Sequence, residues 1–271
     1  MSHPFAKWQG LGNHHVVVER AEWPLAITPT RARRILDPAF GIGGEGILEV
    51  SRDDDGTPRL TVWNADGSQA ENCGNGIRIV ALHLHGRGAL PTDGRIRTDG
   101  GPVRVGVLDD GRVEVLMGRA RFPAGEGRET LAMGGDGIEF AEVSMGNPHA
   151  VVEHPDPDAV VRALGPAIET DARFPERTNV EFVRAEGPSE LTMRVWERGV
   201  GETLACGTGA CAAAVAGVRL GGLRSPVTVH LAGGDLEIAV GDDLEVTMTG
   251  PAEEIYRGEL SPALARALEE L

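Results

Sequence analysis

Cys73 and Cys206 stand in the same setting twice. Cys73-Gly74-Asn75-Gly76 leads into an apolar run without internal proline, and Cys206-Gly207-Thr208-Gly209 leads into another. A free thiol ionises near about pH 8.5, and the partial positive charge at a helix N-terminus lowers that value. The flanking glycines let backbone N–H groups approach a ligand closely, and a helix start is a natural carboxylate site. Each motif therefore offers a thiolate beside an anion cradle. Two such motifs facing one amino acid would place a sulfur on either side of its α-carbon. Inverting a stereocentre needs a base on one face and an acid on the other, exchanging roles in the reverse direction. The competing reading of either cysteine alone is a small buried hydrophobe. The repeated glycine setting argues against that reading for the pair.

Other constellations carry less. Cys206 and Cys211 have C-x4-C spacing, but a zinc site needs about four ligands, and Cys211 falls along the helix that Thr208 begins. No metal is expected, and Cys211 reads as core. Gly41-Ile42-Gly43-Gly44-Glu45-Gly46 imitates a dinucleotide loop without a preceding strand or a βαβ unit, so it reads as a tight loop near substrate. Asp53-Asp54-Asp55-Gly56 lacks the distal glutamate of a calcium loop and reads as a solvated turn. The eight histidines are scattered and read as surface or interface positions, His83 and His85 included.

The elements around the cysteines follow from patterning. Leu60–Trp63, Val103–Leu108, Val113–Met117, Ala150–Val152, Val180–Val183, Leu191–Trp196, Val227–Leu231, Leu236–Val240 and Leu244–Met248 are short strand-like runs punctuated by Gly, Asp and Pro. Asp109-Asp110-Gly111 and Gly241-Asp242-Asp243 read as hairpin turns. Thr30–Leu36, Gly76–His85, Thr208–Leu220 and Ser261–Leu271 read as helices, the last capped by Ser261. The class is α+β and strand-rich. Each cysteine is preceded by a strand and a polar loop, residues 64–72 and 197–205, and the two lie roughly half the chain apart. The pattern predicts two similar domains, each presenting one cysteine at a helix start.

Composition sets the bounds. A length of 271 residues suits two domains, and 41% hydrophobic content supports a core. A net charge of −15 argues against a nucleic-acid partner. Of the 26 basic residues only Lys7 is a lysine, a bias that reads as genome composition. No signal peptide and no membrane-spanning run are expected. Three cysteines are too few for a disulfide scaffold, so a cytoplasmic protein with reduced thiols is expected.

The segment from Asn64-Ala65-Asp66-Gly67-Ser68 through Cys73-Gly74-Asn75-Gly76-Ile77-Arg78 resembles the first cysteine signature of the diaminopimelate epimerase family. Glu197-Arg198-Gly199 through Cys206-Gly207-Thr208-Gly209-Ala210-Cys211 resembles the second. Gly10-Leu11-Gly12-Asn13, Ser144-Met145-Gly146-Asn147-Pro148-His149 and Thr178-Asn179-Val180-Glu181-Phe182 agree with further family blocks, in the family's order. The resemblance implies interconversion of LL- and meso-diaminopimelate, for lysine and peptidoglycan precursors, with neither pyridoxal phosphate nor metal. It implies two pseudo-symmetric domains, each a barrel-like β-sheet around a central helix, with substrate in the cleft. The first domain would span 1–116, completed by about 253–271, and the second 117–252.

By the same resemblance, Cys73 and Cys206 match the proton-transfer pair. Gly74, Asn75, Gly207 and Thr208 match the cradle of the reacting carboxylate. Asn13, Asn64, Asn147, Asn179, Glu197 and Arg198 match substrate-binding positions, and His149 and Glu197 match positions that tune the thiols. For Asn13 and Asn64 the alternative is a turn or capping role. His14-His15 depart from the Asp-Phe common in the family, and Gly46 replaces a glutamine of some members. Tyr256 matches an aromatic at a homodimer contact. Rival readings are a proline or hydroxyproline racemase, a phenazine-biosynthesis-like isomerase, and a non-catalytic amino-acid-binding protein.

Overall fold

The computed structural model describes residues 2–70, 73–133 and 137–271. Glu71 and Asn72, which end the first polar loop, lie outside the described residues. The chain forms two compact units, Met1–Val115 with Pro251–Leu271, and Leu116–Gly250.

In the first unit, β1 (Pro4–Gly10) and β2 (Asn13–Glu19) form a hairpin, and α1 (Pro29–Leu36) leads to β3 (Gly46–Arg52), parallel to β2. Next come β4 (Pro58–Asn64), antiparallel to β3, and the short β5 (Gln69–Ala70). Then α2 (Gly74–Gly86) precedes β6 (Asp93–Thr98), parallel to β4, followed by β7 (Gly101–Val107) and by β8 (Val113–Arg119), along which the chain passes from the first unit to the second. The second unit holds β9 (Glu129–Leu131), β10 (Ile138–Ser144), β11 (Pro148–Glu153), α3 (Pro157–Glu169), β12 (Asn179–Gly187), β13 (Glu190–Glu197), β14 (Gly201–Thr203), α4 (Gly207–Leu220), β15 (Val227–Leu231), β16 (Gly234–Val240) and β17 (Glu245–Gly250). Its pairings repeat the first set in order and direction: β10–β11 antiparallel, β11–β12 parallel, β12–β13 and β13–β14 antiparallel, β13–β15 parallel, β15–β16 and β16–β17 antiparallel. Finally β18 (Glu253–Glu259) pairs with β1, and α5 (Pro262–Glu269) follows.

The echo in the sequence is therefore a duplication of the whole topology, with each cysteine just before the central helix. That helix is buried along most of its length because strands pack around it. α2 touches β1, β2, β3, β4 and β7, and α4 touches β10 through β13 and β15 through β17. The buried run Ala210-Cys211-Ala212-Ala213-Ala214-Val215-Ala216 keeps α4 slim enough for strands to approach it. α1 and α3 are amphipathic and lie outside the curl. α1 buries Ala32, Ile35 and Leu36, while α3 buries Val161, Gly165 and Ile168. Side-chain caps start α1, α3 and α5: Thr28, Asp156 and Ser261 accept from the amides of Arg31, Ala159 and Leu264.

The histidine expectation needs correction. His3, His15, His83 and His149 are buried. His83 lies edge-on to the Trp8 ring, with Nε2 2.9 Å from Glu19 Oε1, so it packs in the core with one ring nitrogen paired to a carboxylate. The Asp53 turn is a knot of ion pairs, Asp53 with Arg59 and Arg97, and Asp55 with Arg97. Among the described residues, no helix is long and apolar enough to cross a membrane.

Candidate active site

Both cysteines occupy the N-cap of their helix with extended backbone, at φ −145, ψ 102 for Cys73 and φ −123, ψ 111 for Cys206. Each sulfur accepts the amide of the third helical residue, Gly76 at 3.3 Å and Gly209 at 3.4 Å. The sulfur thus takes the place of the usual capping oxygen. The next amides, of Gly74 and Asn75 and of Gly207 and Thr208, belong to first turns, where N–H groups lack intrahelical acceptors. Packing dictates the second glycine of each motif. A Cβ on Gly76 would stand 2.7 Å from Leu48 Cδ2 and 3.3 Å from its own cap sulfur. On Gly209 it would stand 2.6 Å from Glu181 Oε1.

In the first unit the β1–β2 hairpin turns through Leu11 (φ 56) and Gly12 (φ 83), a left-handed pair that brings Asn13 opposite Gly10. Burial of Leu11 offsets its strained backbone. Asn13 is held on both ends of its amide. Nδ2 donates to Glu45 Oε2, and Oδ1 accepts from Asn75 Nδ2 at 3.1 Å and faces His15 Nε2 at 2.6 Å. Arg78, fully buried, donates to Asn75 Oδ1 at 2.8 Å, Gly74 O at 3.3 Å and Pro251 O at 3.2 Å. Asn64 closes the Asn64–Ser68 turn through Nδ2 to Ser68 Oγ at 3.0 Å. Lys7 Nζ donates to Gly43 O, pinning the glycine loop, which also hydrogen-bonds the last turn of α1 through Ile42 N to Ile35 O. Burial pulls the Lys7 ammonium down, against the Glu45 carboxylate. Burial, reinforced by His14 and Lys7, lowers His15 to about 3. A Cβ on Gly46 would meet His15 Nδ1 at 2.8 Å and Trp63 O at 2.9 Å, so this chain leaves no room for a side chain there.

In the second unit Asn147 and His149 flank the start of β11, with His149 Nε2 3.0 Å from Asn147 Oδ1. His149 Nδ1 meets Glu181 Oε1 at 2.7 Å, both residues fully buried. Asn179 donates to Pro148 O at 3.0 Å and accepts the Arg198 amide at 3.0 Å. Glu169, at the end of α3, accepts from Gly199 N and Trp196 Nε1, both at 2.7 Å, and so fixes the Glu197-Arg198-Gly199 turn. Thr203 Oγ1 donates to Glu197, whose carboxylate also hydrogen-bonds Cys206. Burial pushes Glu197 up.

At Cys206 the surroundings oppose the pull of the helix terminus. Burial first, then the carboxylates of Glu197 and Glu181, push this thiol well above the ordinary range, against donation from Thr208 and the Gly209 amide. The helix terminus contributes its fraction of a charge, but two carboxylates face the same sulfur. Sequence reading missed four residues that shape the site: Glu45, Arg78, Glu181 and Thr203. Glu181 carried a signal, a lone charge inside the apolar run Val180–Val183, where a charge is found only with a partner.

Solved structures of several activities share this architecture. A phenazine biosynthesis protein of the PhzF family from Bacillus anthracis superposes with a TM-score of 0.73 at 14% identity, covering 96% of this chain and 99% of that one. A hydroxyproline epimerase from Agrobacterium vitis gives 0.70 at 14% identity, covering 97% and 94%. Those likenesses define the fold. Sequence defines the family: the profile described as diaminopimelate epimerase matches residues 5–123 and 133–255. The diaminopimelate epimerase of Alkalilimnicola ehrlichii is 44% identical over 94% of this chain and 98% of its own length. That of Pseudomonas aeruginosa is 41% identical over 94% and 98%. The chain belongs to the diaminopimelate epimerase family.

Proposed function

We propose that this chain epimerises LL-2,6-diaminopimelate to meso-diaminopimelate without a cofactor, in lysine and peptidoglycan precursor synthesis, with Cys73 and Cys206 as its two bases. The observation that carries this reading is the repeated cap: each sulfur sits on the first turn of its unit's central helix, beside amides suited to a carboxylate. In the forward step a thiolate takes the α-proton, and the C–H electron pair moves into the carboxylate. First-turn amides of Gly74, Asn75, Gly207 and Thr208 stabilise the charge that grows there. The other thiol then delivers its proton to the opposite face. The surroundings of Cys206 favour its neutral form, which suits it to deliver a proton.

Asn13, Asn64, Asn147, Asn179, Glu197 and Arg198 are assigned to substrate binding. A distal ammonium and carboxylate call for a carboxylate, amides and a guanidinium, which grips a carboxylate with two bonds. His149 and Glu197 are assigned to tuning the thiols. The two units are the two epimerase domains. We place the enzyme in the cytoplasm, where its thiols stay reduced. We also propose a homodimer through the face of β18, the edge strand of the first unit, where Ile255 and Tyr256 are exposed.

Substrate protection tests the assignment. Diaminopimelate should shield Cys73 and Cys206 from a thiol alkylator, and proline should not. Equal protection by proline would move the reading to a proline or hydroxyproline racemase.

A further inference from the structure

The mechanism above gives Glu181 no part, yet the residue is completely buried, and its Oε2 has no hydrogen-bond partner among the described residues. A buried, half-satisfied carboxylate costs stability and persists where something else requires it. Its other oxygen begins a continuous chain of contacts within the second unit. Glu181 Oε1 meets His149 Nδ1 at 2.7 Å, and His149 Nε2 meets Asn147 Oδ1 at 3.0 Å. Asn147 Nδ2 meets Thr208 Oγ1 at 3.4 Å, and Thr208 Oγ1 lies 3.6 Å from Cys206 Sγ. The same carboxylate lies against the first turn of α4, where only glycine fits at position 209.

We propose that Glu181 is a positioning residue for Cys206, acting through the hydrogen-bond chain of His149, Asn147 and Thr208. The proposal rests on the reading of Cys206 as a reacting thiol. The polarity of the chain follows from donor and acceptor capacities. With Asn147 Oδ1 toward the ring, His149 Nε2 donates to it while Glu181 Oε1 holds the other ring nitrogen. Asn147 Nδ2 then donates to Thr208 Oγ1, which leaves the hydroxyl proton to donate to a Cys206 thiolate. With the Asn147 amide turned over, the bonds between His149 and Cys206 reverse direction, while His149 Nδ1 donates to Glu181. Nδ2 donates to His149 Nε2, Oδ1 accepts the Thr208 proton, and Thr208 Oγ1 accepts from the Cys206 S–H. The chain thus has one arrangement for each protonation state of the sulfur. Glu181 anchors the far end of this chain, so it fixes where the Thr208 hydroxyl stands beside Cys206 Sγ.

A double-mutant cycle tests this. Glu181→Gln and Thr208→Val are compared singly and together, with Thr208→Ser as the variant that keeps the hydroxyl. The readouts are kcat, KM and the rate of Cys206 alkylation by iodoacetamide followed by mass spectrometry. Each single substitution should lower kcat about tenfold or more with KM little changed, and Thr208→Ser should restore most of it. The effect of Glu181→Gln should shrink at least about fivefold in the Thr208→Val background, for both kcat and alkylation. Independent, multiplicative effects would overturn the proposal, as would wild-type kcat in Glu181→Gln. If Glu181→Gln does not fold, Asn147→Leu replaces it in the same cycle, and multiplicative effects there overturn the proposal equally. Alkylation reports the chain even if diaminopimelate is not turned over, which separates failure of this proposal from failure of the substrate assignment.

Discussion

At the scale of single residues, charge and burial decide more than motif. Cys206 keeps a helix-cap position that alone would favour a thiolate, yet burial and two carboxylates favour the thiol. Its alkylation rate should therefore keep rising with pH beyond 9.0, and a plateau near about pH 8.5, the value of an ordinary thiol, would contradict that environment. His15 gives the opposite kind of linkage. The folded protein holds it neutral down to a pH of about 3, while the unfolded chain takes up a proton near 6.5. Between those values the unfolded state binds more protons, so this contribution to stability is present above 6.5 and lost as pH falls toward 3. At pH 5 the loss is on the order of 2 kcal/mol. Urea titrations at pH 7 and pH 5 should show a smaller drop for His15→Phe than for wild type, and equal drops would refute the assignment.

At the scale of elements, the glycine at the third position of each cysteine helix is a packing requirement. Gly209→Ala would drive a methyl into the buried Glu181 carboxylate and should destabilise the protein by about 2–3 kcal/mol, with loss of activity. Gly86→Ala, at the exposed end of α2 with open space around it, should be neutral or stabilise by up to about 1 kcal/mol. Comparable melting temperatures for the two variants would contradict the packing account. These elements were unevenly legible. Val227–Leu231 is a strand with the bounds its alternation predicts, and Ser261 caps α5 as its hydroxyl predicts. α3 was not legible by periodicity, because Pro166 stands inside it. Asp156 followed by Pro157, a cap and a first-turn proline, was the signal available. β1 was obscured by Lys7 and Gln9, whose partners, Gly43 O and Glu253, lie far away in sequence.

At the scale of the whole molecule, duplication explains why a short sequence echo was informative: two cysteine motifs marked a repeat of eight strands and two helices. The candidate site was legible where residue type alone carries it, as with the cysteines and their glycines. It was illegible where a role depends on a partner, as with Glu181 beneath Gly209 or Arg78 against Pro251 O. The return of the C-terminus is such a partnership. Leu260, Ala265 and Leu268 complete a core with Trp23, Ile35 and Leu36, and Arg31 Nε donates to Leu268 O at 2.8 Å. Ending the chain at Gly250 should leave the first unit unfolded, read as loss of its share of circular-dichroism signal and of cooperative melting. A truncated protein with the full melting transition would contradict that role.

The central claim is that Cys73 and Cys206 exchange the α-proton of diaminopimelate from opposite faces. Incubation of LL-diaminopimelate in deuterium oxide, with the α-carbon followed by NMR, tests it most directly. The wild-type protein should form meso product carrying solvent deuterium at the inverted centre. Cys73→Ala and Cys206→Ala should each form none, while Cys211→Ala, altered only in the core of α4, should retain inversion. Product without solvent deuterium, or full epimerisation by either single-cysteine variant, would contradict the two-base account.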